Sequence, residues 1–555
     1  MIEGLREMAV SNAASHGGRA QEGAVLGMLL AARPDLRADV PAASAEVARA
    51  VSEVNSMDPR DLQREAAALP AREPRREREG LPEIPGAAMG AVVTRFPPEP
   101  NGYPHIGHAK AAIINAEYAR MYGGRFILRF DDTNPESERM EYHAAINVGL
   151  EWLGVRPDET KCTSDDMEEI HAAGGRLVGA GAAYVCTCSR DAMGRNRRDR
   201  AACRCSYDGP DEAQKKWRAM FTKSRPGSAV LRFRGDMKSD NTVMRDPVLF
   251  RIVDVPHYRQ GTRYRVWPSY DMAVAIEDSR DGVTHSFRSK EFEMRAELAA
   301  AINGALGMRT PERGFFSRLE LRGMPTSKRA TRPLIEEGKV SWYDDPRLPT
   351  LEGLKRRGIK PEAVRRFVMS LGMTKSESTA PFESLVSFNR SVIDPVAGRL
   401  HMVEDPVRLD VAGLPPSVEI RNHPSSEMGS RTVDTSGGIS IAEADAGALA
   451  EGSEATLMGI GRVRITRAGG SPAAEYLGGA GGQAIQWVPA GSHRLRILVP
   501  GELFRDGEYD EGSLSELDVY SEPAYLDVEE GAPVQFVRFG YCRKDSQTQA
   551  IFTHK

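Results

Sequence analysis

The sequence predicts a multidomain α/β protein with a doubly wound nucleotide-binding sheet, a small helical domain ahead of it and antiparallel β-barrels behind it. Three observations lead there. A strand, loop, helix, strand pattern over 91–130 makes a βαβ unit, which implies a parallel sheet with ligands at the carboxyl ends of its strands. Apolar residues at helical spacing, such as Val25, Leu26, Leu29, Leu30, Val47, Val51 and Val54, fill the first 70 residues. Beyond about residue 396, runs such as 461–466, 494–499 and 534–539 alternate apolar with polar residues between Gly and Pro, the period of antiparallel strands in one or two barrels. At 555 residues the chain exceeds one hydrophobic core and predicts roughly three to five domains.

Taken in order, the helical domain ends at the mixed-charge segment Ala71–Glu79, a linker. The strand around Ala91-Val92-Val93 enters a Pro/Gly loop, a helix follows from about His108 to Tyr122, and a second strand covers Phe126–Phe130. Residues of about 185–260 read as an insertion into a sheet whose strands resume near Tyr264, and 351–394 reads as helical.

Composition excludes several classes. Hydrophobic residues make up 41% and charged residues 27%, as in soluble globular proteins and unlike disordered ones. No apolar run approaches the roughly 20 residues of a membrane span, and Met1-Ile2-Glu3 does not begin a secretory signal, so a soluble cytoplasmic protein is expected. Lys plus Arg number 74 and Asp plus Glu 78, a net charge of −4, but the charge is segregated. Residues 502–530 carry eleven acids against Arg505, a local −10 that leaves +6 on the remainder. Of six cysteines, Cys186, Cys188, Cys203 and Cys205 form two CxC pairs, which in an intracellular chain read as tetrahedral metal ligands before disulfides, with buried thiols as the alternative. The loop around them holds Arg190, Arg195, Arg197, Arg198, Arg200 and Arg204 against Asp191 and Asp199, a surface for phosphates or simply a solvated one.

The most informative segment is Pro98-Glu99-Pro100-Asn101-Gly102-Tyr103-Pro104-His105-Ile106-Gly107-His108. Two imidazoles three apart, across a glycine and at a helix N-terminus, suit a triphosphate; a metal pair or a helix cap is the alternative. This stretch resembles the HIGH signature of class I aminoacyl-tRNA synthetases in its glutamyl/glutaminyl form, with Thr94–Pro100, Ala109 and Lys110 matching as flanks and Pro104 standing where the family has Leu. Gly323–Arg329 resembles the KMSKS loop, with Thr326, Ser327 and Lys328 at its core, and Arg129–Pro135 and Ser341–Leu351 match the same subfamily.

The resemblance implies a class I synthetase with a Rossmann-like catalytic domain in two halves, 86–184 and 263–330, and an inserted acceptor-stem-binding domain, 185–262. It further implies an N-terminal helical domain and linker, 1–85, a helical connecting domain, 331–395, and antiparallel β-barrels for the anticodon, 396–555. The barrels point to the archaeal type. It also implies that His105, His108 and Lys328 are catalytic, with ATP held by Pro98 to His108 and by Thr326, Ser327, Lys328 and Arg329. Glutamate is expected on Arg95, Asp131, Tyr270 and Arg288; Arg288 stands where glutamine enzymes carry a small neutral residue, and a guanidinium pairs bidentately with a carboxylate. The expected reaction is ATP- and Mg2+-dependent glutamate–tRNA ligation by a monomer that charges tRNA(Glu), with tRNA(Gln) as a further open substrate and a structural Zn2+ on the four cysteines. A glutaminyl enzyme and an idle synthetase-derived RNA-binding protein are the rivals.

Overall fold

The computed structural model describes residues 2, 4–15, 18–68, 80–376, 378–425, 427–468, 471–479 and 481–555; the linker 71–79 lies outside them. The chain forms two compact units, 1–78 and 79–555. In the first, helices α1 (Leu5–Ser15), α2 (Glu22–Ala32), α3 (Val40–Asn55) and α4 (Pro59–Ala68) enclose a core that includes Leu5, Val25, Leu29, Val47 and Val54. Helix α3 starts where Asp39 accepts a hydrogen bond from the Ala42 N–H at 3.1 Å and Pro41 occupies the first turn, which spares two orphan donors.

In the second unit, strands β1 (Val93–Phe96), β2 (Arg125–Phe130) and β3 (Glu159–Cys162) pair in parallel. Helix α5 (Ile106–Met121) joins the first two and α6 (Met140–Trp152) the next. The Thr284 N–H donates to the Val93 carbonyl at 2.9 Å and brings β8 (His285–Ser289) beside β1, and β9 (Glu312–Phe316) continues in parallel. The strand order β3-β2-β1-β8-β9 reverses direction between β1 and β8, and that switch point opens the crevice at their carboxyl ends.

Between the halves, α7 (Met167–Gly179) leads to an antiparallel sheet of β4 (Ala183–Cys186), β5 (Val230–Phe233), β6 (Val248–Ile252) and β7 (Val266–Pro268). Residues 264–268 therefore do not resume the parallel sheet. The apolar pair Val266-Trp267 announces a strand, but pairing with β6 assigns it to the inserted sheet, and parallel pairing resumes only at β8. Helices α8 (Arg190–Arg198) and α9 (Pro210–Thr222) lie within this insertion; α10 (Tyr270–Arg280) and α11 (Arg295–Leu306) return the chain to the crevice.

Residues 398–554 build two seven-stranded, nearly closed sheets. The one spanning 406–489 is inserted into the other, which takes 398–403 from one side of it and 493–554 from the other. The run expected over 534–539 stops as a strand at Phe536, because Arg538 turns the chain with φ of 64°.

Candidate active site

The crevice is a cavity of about 710 Å³ lined from β1, the HIGH loop, α10 and β8, and it includes Arg95, Glu99, His105, His108, Asp131 and Arg288. His105 caps α5: its Nδ1 accepts from the Gly107 N–H at 3.1 Å, while the His105 N–H donates to His108 Nδ1 at 3.2 Å. Capping leaves the outer nitrogen of each ring free to donate, because with Nδ1 used as acceptor each neutral ring carries its proton on Nε2. Burial, reinforced by His108, holds His105 well below the ordinary histidine pKa; burial, with Lys328 and Arg318, brings His108 to about 4.

A smaller cavity between the two signatures is lined by Asn101, Gly102, Tyr103, Pro325, Thr326 and Lys328 together with both histidines. Lys328 opens helix α12 (Lys328–Glu336) and donates from Nζ to Asn101 Oδ1 at 2.6 Å, so two segments 227 residues apart meet. Thr326 accepts from Arg318 at 3.0 Å. The segment 341–351 is stitched to the HIGH loop by the Ile106 N–H on the Pro349 carbonyl and the Leu351 N–H on the Pro104 carbonyl, both at 2.9 Å. Lys110, buried and brought down to about 8 by burial, donates to the Ser317 carbonyl at 2.8 Å and its hydroxyl at 3.1 Å, which ties α5 to the chain just before Arg318.

At the other end of the cavity, Asp278 accepts four hydrogen bonds: two from Arg95 at 3.0 and 3.2 Å, one from Arg129 at 2.8 Å and one from Arg288 at 3.1 Å. Burial alone would raise its pKa, but Arg95, Arg129 and Arg288 hold it well below the usual carboxylate range. Arg129 also reaches Asp281 at 2.7 Å and Asp131 at 3.2 Å. Three buried polar atoms of this group have no hydrogen-bond partner: Arg95 Nη1, Arg288 Nε and Asp131 Oδ2. A buried donor or acceptor left unmet is costly, so these atoms are set for a ligand that offers anionic oxygen to the first two and a cation to the third. The Tyr270 hydroxyl lies 3.5 Å from Arg288.

The structure thus gathers Arg95, Asp131, Tyr270 and Arg288 at one end and His105, His108 and Lys328 at the other. Ile106 is one of three exceptions within the HIGH segment: fully buried in the apolar core, it anchors α5 and faces neither cavity. Pro100 and Pro104 line neither cavity; their carbonyls instead receive the N–H groups of Arg139 and Leu351. Arg129 and Asp278 lie outside the set of site residues that the motifs imply. The available signal was a charged residue inside each of two apolar runs, Phe126–Phe130 and Met272–Ile276 with its continuation, since a buried charge requires a partner.

The cysteine cluster also assembles. Three of the six sulfur pairs lie 3.3 to 3.8 Å apart, and all four ligand atoms lie within 4.8 Å of one another. A tetrahedral zinc with Zn–S of about 2.3 Å places sulfurs about 3.8 Å apart, so the set fits that ion. Of the surrounding arginines, Arg197 and Arg200 hold the loop before β6 through the Thr242 and Lys238 carbonyls, while Arg190, Arg195, Arg198 and Arg204 are exposed.

Residues 91–395 match the family model described as tRNA synthetases class I (E and Q), catalytic domain, and 397–476 match the anti-codon binding domain of the same class. The chain is 56% identical to a glutamate–tRNA ligase of Nitrosopumilus maritimus, over 99% of both chains. It belongs to the class I glutamyl and glutaminyl tRNA synthetases. Within this family its relatives are the archaeal glutamate–tRNA ligases: that of Cenarchaeum symbiosum is 56% identical over 99% of this chain and 98% of its own, and that of Korarchaeum cryptofilum 38% over 99% of each. A class I synthetase joins an amino acid to tRNA through an adenylate, and the crevice at the β1/β8 switch point is where this family member places its signatures.

Proposed function

We propose that the chain activates L-glutamate with ATP and Mg2+ and transfers the glutamyl group to the 3′ end of tRNA(Glu). The observation that carries this reading is the trio of unpartnered buried atoms in one cavity: a side-chain carboxylate satisfies Arg95 and Arg288, and an α-ammonium satisfies Asp131. The α-carboxylate oxygen then attacks the α-phosphorus of ATP, the bond to the β-phosphate oxygen breaks, and pyrophosphate leaves. His105 and His108 donate from Nε2 to phosphate oxygens, and Lys328 supplies positive charge where negative charge builds. In the second step a terminal ribose hydroxyl of the tRNA attacks the glutamyl carbonyl and AMP departs. In this reading 86–184 and 263–330 are the catalytic halves, 185–262 holds the acceptor stem, and 396–555 reads the anticodon of a tRNA bound by one monomer. Among the described residues no helix is long and apolar enough to cross a membrane, in keeping with a cytoplasmic place of work. Charging assays with purified tRNA(Glu) and tRNA(Gln), each with glutamate and with glutamine, test the proposal; a preference for glutamine overturns it.

Because the histidines are neutral well below pH 6.5, pyrophosphate exchange in the presence of tRNA is expected to show no inflection near that value from either ring. Their folded pKa values lie below the unfolded value of about 6.5, so the unfolded state binds more protons; their contribution to stability is complete above about 6.5 and falls as pH drops toward 4. An acid limb near 6.5 that moves in His108→Gln contradicts this.

The four thiolates of Cys186, Cys188, Cys203 and Cys205 would hold zinc as a structural ion. Cys203→Ser is expected to release about one equivalent of zinc, read by metal analysis, and to raise the KM for tRNA several-fold while the KM for ATP stays within about twofold. Full metal content in that variant argues against the site.

A further inference from the structure

The Lys328 ammonium is already seated on the HIGH loop. Its Nζ donates to Asn101 Oδ1 at 2.6 Å and lies 5.5 Å from the centre of the Tyr142 ring. Beneath it, Gly102 has no side chain to intrude: a Cβ there would overlap Lys328 Cε and stand 2.9 Å from Nζ. Gly102 has no left-handed backbone conformation to explain its identity, so close approach is the reason for glycine. Among the described residues no carboxylate lies within ion-pairing distance of Lys328; the partners of this ammonium are an amide oxygen and an aromatic face, both neutral. The same cavity is lined by His105 and His108.

We propose that Asn101 and Gly102 form a seat that pre-positions the Lys328 ammonium at the triphosphate site without neutralising it. The inference rests on the reading of Lys328 as the cation that stabilises the departing pyrophosphate. A lysine side chain has four rotatable bonds, and ordering it at the moment of reaction would be part of the barrier; an ammonium ordered beforehand removes that part. A carboxylate in the same place would order it equally well but would compete with phosphate oxygens for its charge. The neutral acceptor gives order and leaves the charge available. Asn101 is thus a positioning residue that acts through Lys328.

The test is tRNA-dependent pyrophosphate exchange with the full-length protein, measured for ATP and glutamate separately, on wild type, Asn101→Ala, Asn101→Asp, Gly102→Ala, Lys328→Ala and the double variants Asn101→Ala/Lys328→Ala and Asn101→Asp/Lys328→Ala. Lys328→Ala is expected to lower kcat about 100-fold. Asn101→Ala is expected to lower it about tenfold, and the isosteric Asn101→Asp more than Asn101→Ala, with a raised KM for ATP and an unchanged KM for glutamate. In the Lys328→Ala background both Asn101 substitutions should change the rate by less than about twofold, an outcome that a merely structural role for Asn101 would not produce. Asn101→Asp as active as wild type, or Asn101 effects that persist without Lys328, overturn the seat. Lys328→Ala at wild-type rate overturns instead the role of Lys328 on which the seat depends.

Discussion

Asp278→Asn should destabilise the catalytic domain by about 3–5 kcal/mol and raise the KM for glutamate at least 100-fold, while the KM for ATP stays within a few-fold. Asp278 is 1% exposed and, among the described residues, is the only group that accepts hydrogen bonds from all of Arg95, Arg129 and Arg288, so it sets the distances among three guanidiniums that otherwise repel. Asparagine keeps the shape but removes the charge and turns one acceptor into a donor facing donors. Arg129 retains Asp131 and Asp281, whereas Arg95 and Arg288, the two residues with free donors for substrate, lose their shared anchor. A thermal midpoint lower by roughly 10 °C, together with the KM split, is the expected record. The pH dependence follows from the same group. Its folded pKa lies below the unfolded value of about 4, so its stabilisation is complete above that value and is lost on acidification through the folded pKa; the variant should lack this acid sensitivity. Wild-type midpoint and wild-type KM in Asp278→Asn would show that the arginines are ordered by something else.

Arg288→Cys is expected to act on choice more than on folding. Asp278 keeps three of its four hydrogen bonds when Arg288 is removed, so the thermal midpoint should change by only a few degrees. Glutamate loses the Nε donor, and kcat/KM for glutamate should fall about 100- to 1,000-fold, about 3–4 kcal/mol of transition-state binding. Glutamine loses much less, since its amide cannot satisfy two guanidiniums in the wild type, and the preference for glutamate should shrink by about two orders of magnitude. Competition between the two amino acids in charging assays measures this directly. Equal losses for both would place Arg288 outside the side-chain pocket.

Much of the local structure is legible in the residues themselves. The apolar run before Arg95 and the Pro/Gly loop after it announce a strand end, and the imidazoles at the start of an alanine-rich helix announce an anion site, because strand, turn and helix N-terminus are properties of a few consecutive residues. The acidic segment 502–530 shows where such reading stops. Composition suggests a solvated face, yet Leu503 is fully buried with Leu334, Val340 and Leu348, the Phe504 N–H donates to the Gly323 carbonyl at 3.0 Å beside the KMSKS-like loop, and Glu522 is buried against Arg431. Nothing in the run of acids distinguishes the one that is buried from those that are not.

By itself the sequence determined the chemistry available to this protein: two histidines at a helix start, a lysine in a tight loop, arginines and an aspartate suited to a glutamate zwitterion, and four thiols. It also determined the local periods that make strands, helices and barrels. Only the tertiary structure decided which charges meet. Arg129 and Asp278 are 149 residues apart and Asn101 and Lys328 are 227 apart, and their contacts follow from the strand order that sets β1 beside β8. Periodicity specifies which side of an element is buried, while the identity of its neighbour depends on the path of the whole chain, and a buried ion pair or an unmet donor exists only once that path is closed.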